Sequence, residues 1–117
     1  MAKTKKQIAL AQNFLRSPKL VRSLLETSSI GSGDLVYEIG PGRGIITTEL
    51  AQIARKVVAV EKDLDLARGL CKKFEGVRNV QIITNDFLRY RIPDQEYKIF
   101  ANIPYNLTAD IVRKVLY

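Results

Sequence analysis

Apolar positions along the chain follow two spacings that alternate. Leu20, Val21, Leu24 and Leu25 recur at helical spacing behind Ser17 and Pro18, a pair that reads as an N-cap and a first-turn proline. Gly31-Ser32-Gly33-Asp34 interrupts that pattern as a turn, and Leu35, Val36, Tyr37 and Ile39 then form a short apolar run ending at Gly40, as a buried strand does. Ile46, Leu50 and Ile53 mark a helix, residues 57–60 a strand, and Leu66, Ala67, Leu70, Cys71 and Phe74 a second helical stripe. Residues 80–83 and 98–101 are two further strands, and Thr108 is placed to cap a last helix carrying Ile111, Val112, Val115 and Leu116. Strands that alternate with helices predict an α/β fold with a mostly parallel sheet.

Residues 1–16 show no apolar periodicity and are expected to be an arm that orders on a partner, leaving residues 17–117 as one α/β unit. The strand at 98–101 is followed only by the last helix, so the expected sheet is truncated after its fourth strand. That predicts an edge with unpaired backbone groups and either self-association along it or only marginal stability.

Composition narrows the class. With 117 residues, 46% apolar and 26% charged, the chain is expected to fold as a globular domain and to be cytoplasmic; no apolar run approaches a membrane span. One cysteine excludes an internal disulfide. The absence of histidine removes the commonest metal ligand and the usual general base, so zinc sites and serine–histidine catalysis are not expected. The net charge of +7 is unevenly placed: Lys3, Lys5, Lys6, Arg16, Lys19 and Arg22 precede the first acid, while bases and acids nearly balance thereafter. A basic arm on a neutral body suits a polyanion such as nucleic acid, with a solvated tail as the alternative.

Chemistry concentrates after the strands. Glu38-Ile39-Gly40-Pro41-Gly42-Arg43-Gly44 lies between a predicted strand and a predicted helix, where glycine permits positive φ and close approach of a ligand to the backbone. A dinucleotide fingerprint would need a small residue where Ile45 stands. The spacing G-x-G-x-G, with an acid two positions before the first glycine, is instead similar to the first motif of S-adenosylmethionine-dependent methyltransferases. Glu61 ends the second strand, where its carboxylate can accept from ribose hydroxyls; a surface acid paired with Lys56 or Lys62 is the alternative. Asp86, after the third strand, can accept from an adenine amino group or belong to an ordinary Asn-Asp turn. Asn102-Ile103-Pro104-Tyr105 follows the fourth strand, on the same expected rim: an amide carbonyl for an exocyclic amine and a flat ring for a base, or a turn with a core tyrosine.

Gln12-Asn13-Phe14-Leu15, residues 38–44, Glu61, Asn85-Asp86 and residues 102–105, in that order, resemble the ribosomal RNA adenine N6-methyltransferase family. It includes the erythromycin-resistance methylases of the large subunit and the adenine dimethyltransferases of the small subunit. Ile103 and Leu107-Thr108 lean toward the resistance methylases, hence 23S RNA. The resemblance implies a Rossmann-like fold, S-adenosylmethionine as cofactor, ribosomal RNA as partner, and neither metal nor membrane. It implies that Gln12, Asn13 and Leu15 close over the cofactor, that Glu38, Gly40, Gly42 and Gly44 hold its methionine portion, and that Glu61 with Lys62 takes the ribose. Asp86 with Phe87 would take the adenine. Asn102, Pro104 and Tyr105 would face the target adenine, Asn102 contacting the cofactor as well, and Lys3, Lys5, Lys6 and Arg16 would face the RNA phosphates. Family members continue through further strands and a small helical domain, so an inactive cofactor- or RNA-binding module stands as the second reading. A nucleotide-dependent oxidoreductase is the third.

Overall fold

The computed structural model describes residues 6–11, 17–102 and 105–116. The elements run β1 (Lys6–Ala11), α1 (Pro18–Glu26), β2 (Leu35–Ile39), α2 (Ile45–Ile53), β3 (Lys56–Glu61), α3 (Leu64–Lys73), β4 (Val80–Thr84), β5 (Tyr97–Asn102) and α4 (Tyr105–Leu116). The strands form one sheet in the order β1-β5-β2-β3-β4, and every pairing is parallel. From β2 the chain steps outward through β3 to β4, then returns to lay β5 on the other side of β2. The strand order therefore reverses between β2 and β5, the arrangement of a Rossmann-like sheet.

The central strands read as continuous apolar runs because both of their faces are covered. Leu35, Tyr37 and Ile39, with Val58, Val60, Ile99 and Ala101, pack toward Ile111 and Val115 of α4. The residues between them, Val36, Val57 and Phe100, pack toward Val21 and Leu25 of α1 and Ile46 and Leu50 of α2. Alternate side chains of one strand thus anchor helices on opposite sides. Ser17 precedes α1 as expected, but its hydroxyl makes no capping bond; Pro18 at the helix start and the Ser17 carbonyl, which accepts from the Val21 N–H at 3.1 Å, begin the helix.

Three expectations are corrected. The segment expected to be a structureless arm contains β1, and the strand at 98–101 is not an edge. Lys6 to Ala11 pair in register with Tyr97 to Asn102, Ile8 opposite Ile99 and Ala11 opposite Asn102. The pairing satisfies backbone groups that β5 would otherwise leave without partners on that side. The last helix begins at Tyr105 and not behind Thr108; Leu107 stands four residues before Ile111, so the apolar period already runs through that first turn. In α3, Ala67 and Leu70 are buried, as is Phe74 just beyond the helix, whereas Leu66 and Cys71 lie on the exposed side.

Covering the edge has a measurable consequence. A variant lacking residues 1–11 should expose β5 and self-associate, with sedimentation coefficients that rise with concentration, while the full chain shows no such rise. Identical sedimentation of the two chains would show that β1 does not protect that edge.

Candidate functional site

Strand register alone brings the carboxyl ends of five strands into one row. Ala11 stands opposite Asn102, Ile39 opposite both Ala101 and Val60, and Glu61 opposite Thr84. The Gly40 N–H donates to the Val60 carbonyl at 3.1 Å and the Asn85 N–H to the Glu61 carbonyl at 3.0 Å, so both loops leave the sheet side by side.

In the first loop Gly40, Gly42 and Gly44 adopt φ of 65°, 59° and 88°, and no other residue type has positive φ among the described residues. A side chain in that region is strained by contact with its own backbone, which is why the chain carries glycine at alternate positions. The Gly44 N–H closes the turn on the Pro41 carbonyl at 2.9 Å, and Gly44 then serves as the N-cap of α2. The start of α2, whose first N–H groups have no acceptor within the helix, therefore opens on the rim. A Cβ added at Gly42 would meet nothing within 4 Å, so the outer side of the loop is open to a ligand. Its inner side is closed by α3: Lys73 Nζ donates to the Arg43 carbonyl at 2.9 Å, and Phe74 and Leu70 lie against Gly44.

Two carboxyl groups flank this loop in different states of solvation. Glu38, at the end of β2, is 1% exposed; Oε1 accepts from the Thr47 hydroxyl, and Oε2 has no partner among the described residues. Burial pushes its carboxyl up to about 8, the Thr47 hydroxyl acts in the opposite direction, and the nearby charge of Glu61 adds to the rise. Glu61 is 6% exposed and fully engaged by backbone, Oε1 accepting from the Gly42 N–H at 3.2 Å and Oε2 from the Asp63 N–H at 3.0 Å. Each oxygen retains a further lone pair for a ligand hydroxyl. Lys62 beside it is exposed.

On the next loop Asp86 is half-buried, and its Oδ1 accepts from the Leu88 N–H at 3.0 Å. The Asp86 carbonyl accepts from the N–H groups of Arg89 and Tyr90, both at 2.9 Å, which makes residues 86–90 a compact turn. Phe87 is 4% exposed and its ring belongs to the core beneath α4, so that residue braces the turn from below.

Asn102 ends β5 on the row and Tyr105 begins α4. Pro104 lies outside the described residues, as do Gln12, Asn13, Leu15, Lys3, Lys5 and Arg16. Lys6 stands opposite Tyr97 at the amino end of β1, five residues or about 17 Å from the row. Thr47, Lys73 and Lys114 were not singled out from the sequence. Thr47 had a signal there, as a hydroxyl between Ile46 and Leu50 on an otherwise apolar helix face. Among the described residues no group of acids and cysteine is placed to hold a metal, and no helix is long and apolar enough to cross a membrane.

The comparisons agree with this arrangement. An rRNA adenine N-6-methyltransferase of Escherichia coli is 38% identical over 113 residues, 96% of this chain and 46% of the relative. The crystal structure of the 23S rRNA methyltransferase ErmE superposes with a TM-score of 0.80 at 37% identity, over 87% of this chain and 42% of that one. A dimethyladenosine transferase from Plasmodium falciparum gives 0.74 at 28% identity, over 87% and 38%. The chain thus spans about half the length of the relatives it matches or less. The family model described as ribosomal RNA adenine dimethylase matches residues 3–117, through both loops of the rim and the strand that ends at Asn102, and the chain belongs to that family.

Proposed function

We propose that this chain binds S-adenosylmethionine at the carboxyl rim and serves methyl transfer to the N6 amino group of an adenine in ribosomal RNA. The observation that carries the reading is the glycine loop, open at Gly42 and tied at 3.2 Å to a buried carboxylate, Glu61. The residues fit the cofactor. The open loop and the start of α2 suit its amino-acid portion, Glu61 its ribose hydroxyls, and Asp86, one strand further along, an adenine amino group. When bound, S-adenosylmethionine supplies a methyl on a sulfonium that leaves readily.

The protein then has mainly to align donor and acceptor. Asn102, the last residue of the strand at the switch point, and Tyr105, the first of α4, are assigned to the acceptor: an amide carbonyl for the amine hydrogens and a ring for stacking. Adenine must be single-stranded or extruded to reach them. No strong base is needed, because the proton leaves after the methyl has moved. The basic residues of the first segment are assigned to RNA phosphates. The 23S, erythromycin-resistance type is favoured by Ile103 and Leu107-Thr108 and by the ErmE likeness, at 37% identity against 28% for the dimethyladenosine transferase.

Calorimetry with S-adenosylmethionine tests the cofactor half. Glu61→Ala should weaken binding by about 1 to 3 kcal/mol through loss of the ribose bonds. Unchanged affinity would remove Glu61 from the site. Radiolabelled methyl transfer by the chain, offered 23S and 16S RNA separately, tests the substrate half; label in 16S RNA alone would select the small-subunit type.

A further inference from the structure

The mechanism leaves Lys114, a charged and half-buried group, unused. Lys114 lies in the third turn of α4, and its Nζ donates to the carbonyls of both Phe87 and Tyr90. The same nitrogen sits 4.5 Å from the centroid of the Phe87 ring. Burial lowers the lysine from its ordinary value, while the charge of Asp86 acts in the opposite direction. Every one of these contacts is to residues 86–90, the turn that presents Asp86 to the rim.

We propose that Lys114 is a positioning residue for nucleobase selection: by tying the carbonyls of Phe87 and Tyr90 to α4, it holds the turn in which Asp86 reads the amino group of the cofactor's adenine. The inference rests on the cofactor reading above and deepens it. Asp86 is oriented by its own bond to the Leu88 N–H, so its direction follows the backbone of residues 86–88. Among the described residues that backbone is tied internally by the bonds to the Asp86 carbonyl and by the Leu88 N–H to Asp86 Oδ1, and it is held from outside by the buried Phe87 ring and by Lys114, which donates to the Phe87 and Tyr90 carbonyls. Without the ammonium, two half-buried carbonyls lose a charged donor and turn toward water, carrying the carboxylate with them. The helix that bears Lys114 begins at Tyr105, so this contact also links the adenine-side turn to the acceptor motif about 14 Å away along the helix.

The test compares S-adenosylhomocysteine with its inosine counterpart, in which a carbonyl replaces the amino group, by calorimetry on the full chain. Wild type should prefer the adenosine form by about 10-fold or more, the effect of one hydrogen bond to a charged acceptor. Lys114→Met should weaken the adenosine form by about 10-fold and leave the inosine form within about 2-fold, so that discrimination collapses; Lys114→Arg, which keeps charged donors, should restore it. A merely structural role would weaken both ligands alike, and that outcome overturns the proposal, as does unchanged discrimination. If Lys114→Met does not fold, Lys114→Gln is measured in its place, with the same two outcomes deciding. Wild type that binds both ligands equally overturns the assignment of Asp86 and Lys114 but not the cofactor reading. Wild type that binds neither overturns the cofactor reading itself, and this proposal with it.

Discussion

Replacing Glu38 by glutamine should stabilise the protein at pH 8 by on the order of 4 kcal/mol and change it little at pH 4. Glutamine has the same shape and can keep an oxygen toward the Thr47 hydroxyl, so packing is preserved. What differs is ionisation. The carboxyl titrates at about 8 in the folded chain, against an ordinary value of 4.5, because burial dominates its surroundings. Below pH 4.5 the group is protonated in both the folded and unfolded states and contributes no pH dependence. Between 4.5 and 8 the unfolded chain releases the proton and the folded chain keeps it, so stability falls as pH rises; above 8 both are ionised and the loss is complete.

The wild-type chain should therefore lose stability steadily from pH 5 to pH 8 in urea titrations, and Glu38→Gln should flatten that slope. Parallel curves for the two proteins would mean that Glu38 is ionised in the folded state. Glu61→Gln gives an independent check, because removing its charge should lower the Glu38 titration and shift the wild-type slope toward lower pH.

Why Glu38 was legible as a site residue but not as a neutral acid shows where local pattern stops. Gly40, Gly42 and Gly44 and the acids at 38, 61 and 86 could be read from the sequence because a parallel sheet brings all its carboxyl ends to one side, whatever the details of packing. The protonation of Glu38 depends on the Thr47 hydroxyl and on closure of both sheet faces, neither of which is a property of residues 38–44. β1 was missed for a related reason. Its six residues include two alanines, a lysine and a glutamine, with only Ile8 and Leu10 apolar and bulky, and its partner strand lies about 90 residues later. Pairing at that separation is decided by the open side of β5, which local propensity does not register. Lys114 belongs to the same class: a basic residue on a helix reads as solvated until the turn beneath it is placed.

The glycines separate ligand approach from packing, and Gly44 and Gly42 should behave differently when replaced. At Gly44, with φ of 88°, an added Cβ would lie 2.9 Å from Phe74 Cε2 and 3.0 Å from Leu70 Cδ2. Gly44→Ala therefore combines a left-handed penalty of about 1 to 2 kcal/mol with overpacking of about 1 to 3 kcal/mol. A total loss of roughly 2 to 5 kcal/mol should appear as a lower urea midpoint at unchanged slope. At Gly42, with φ of 59° and open space beyond, only the backbone penalty applies, so Gly42→Ala should cost about 1 to 2 kcal/mol of stability. Its methyl would instead occupy the side of the loop left for the cofactor, and S-adenosylmethionine affinity should fall further than stability does. Trimming Phe74 to leucine should return part of the Gly44→Ala loss and none of the Gly42→Ala loss, since only the first contact involves that ring. Equal midpoints for the two alanine variants would show that α3 yields to the added methyl, and that the loop is held by its own turn rather than by Phe74.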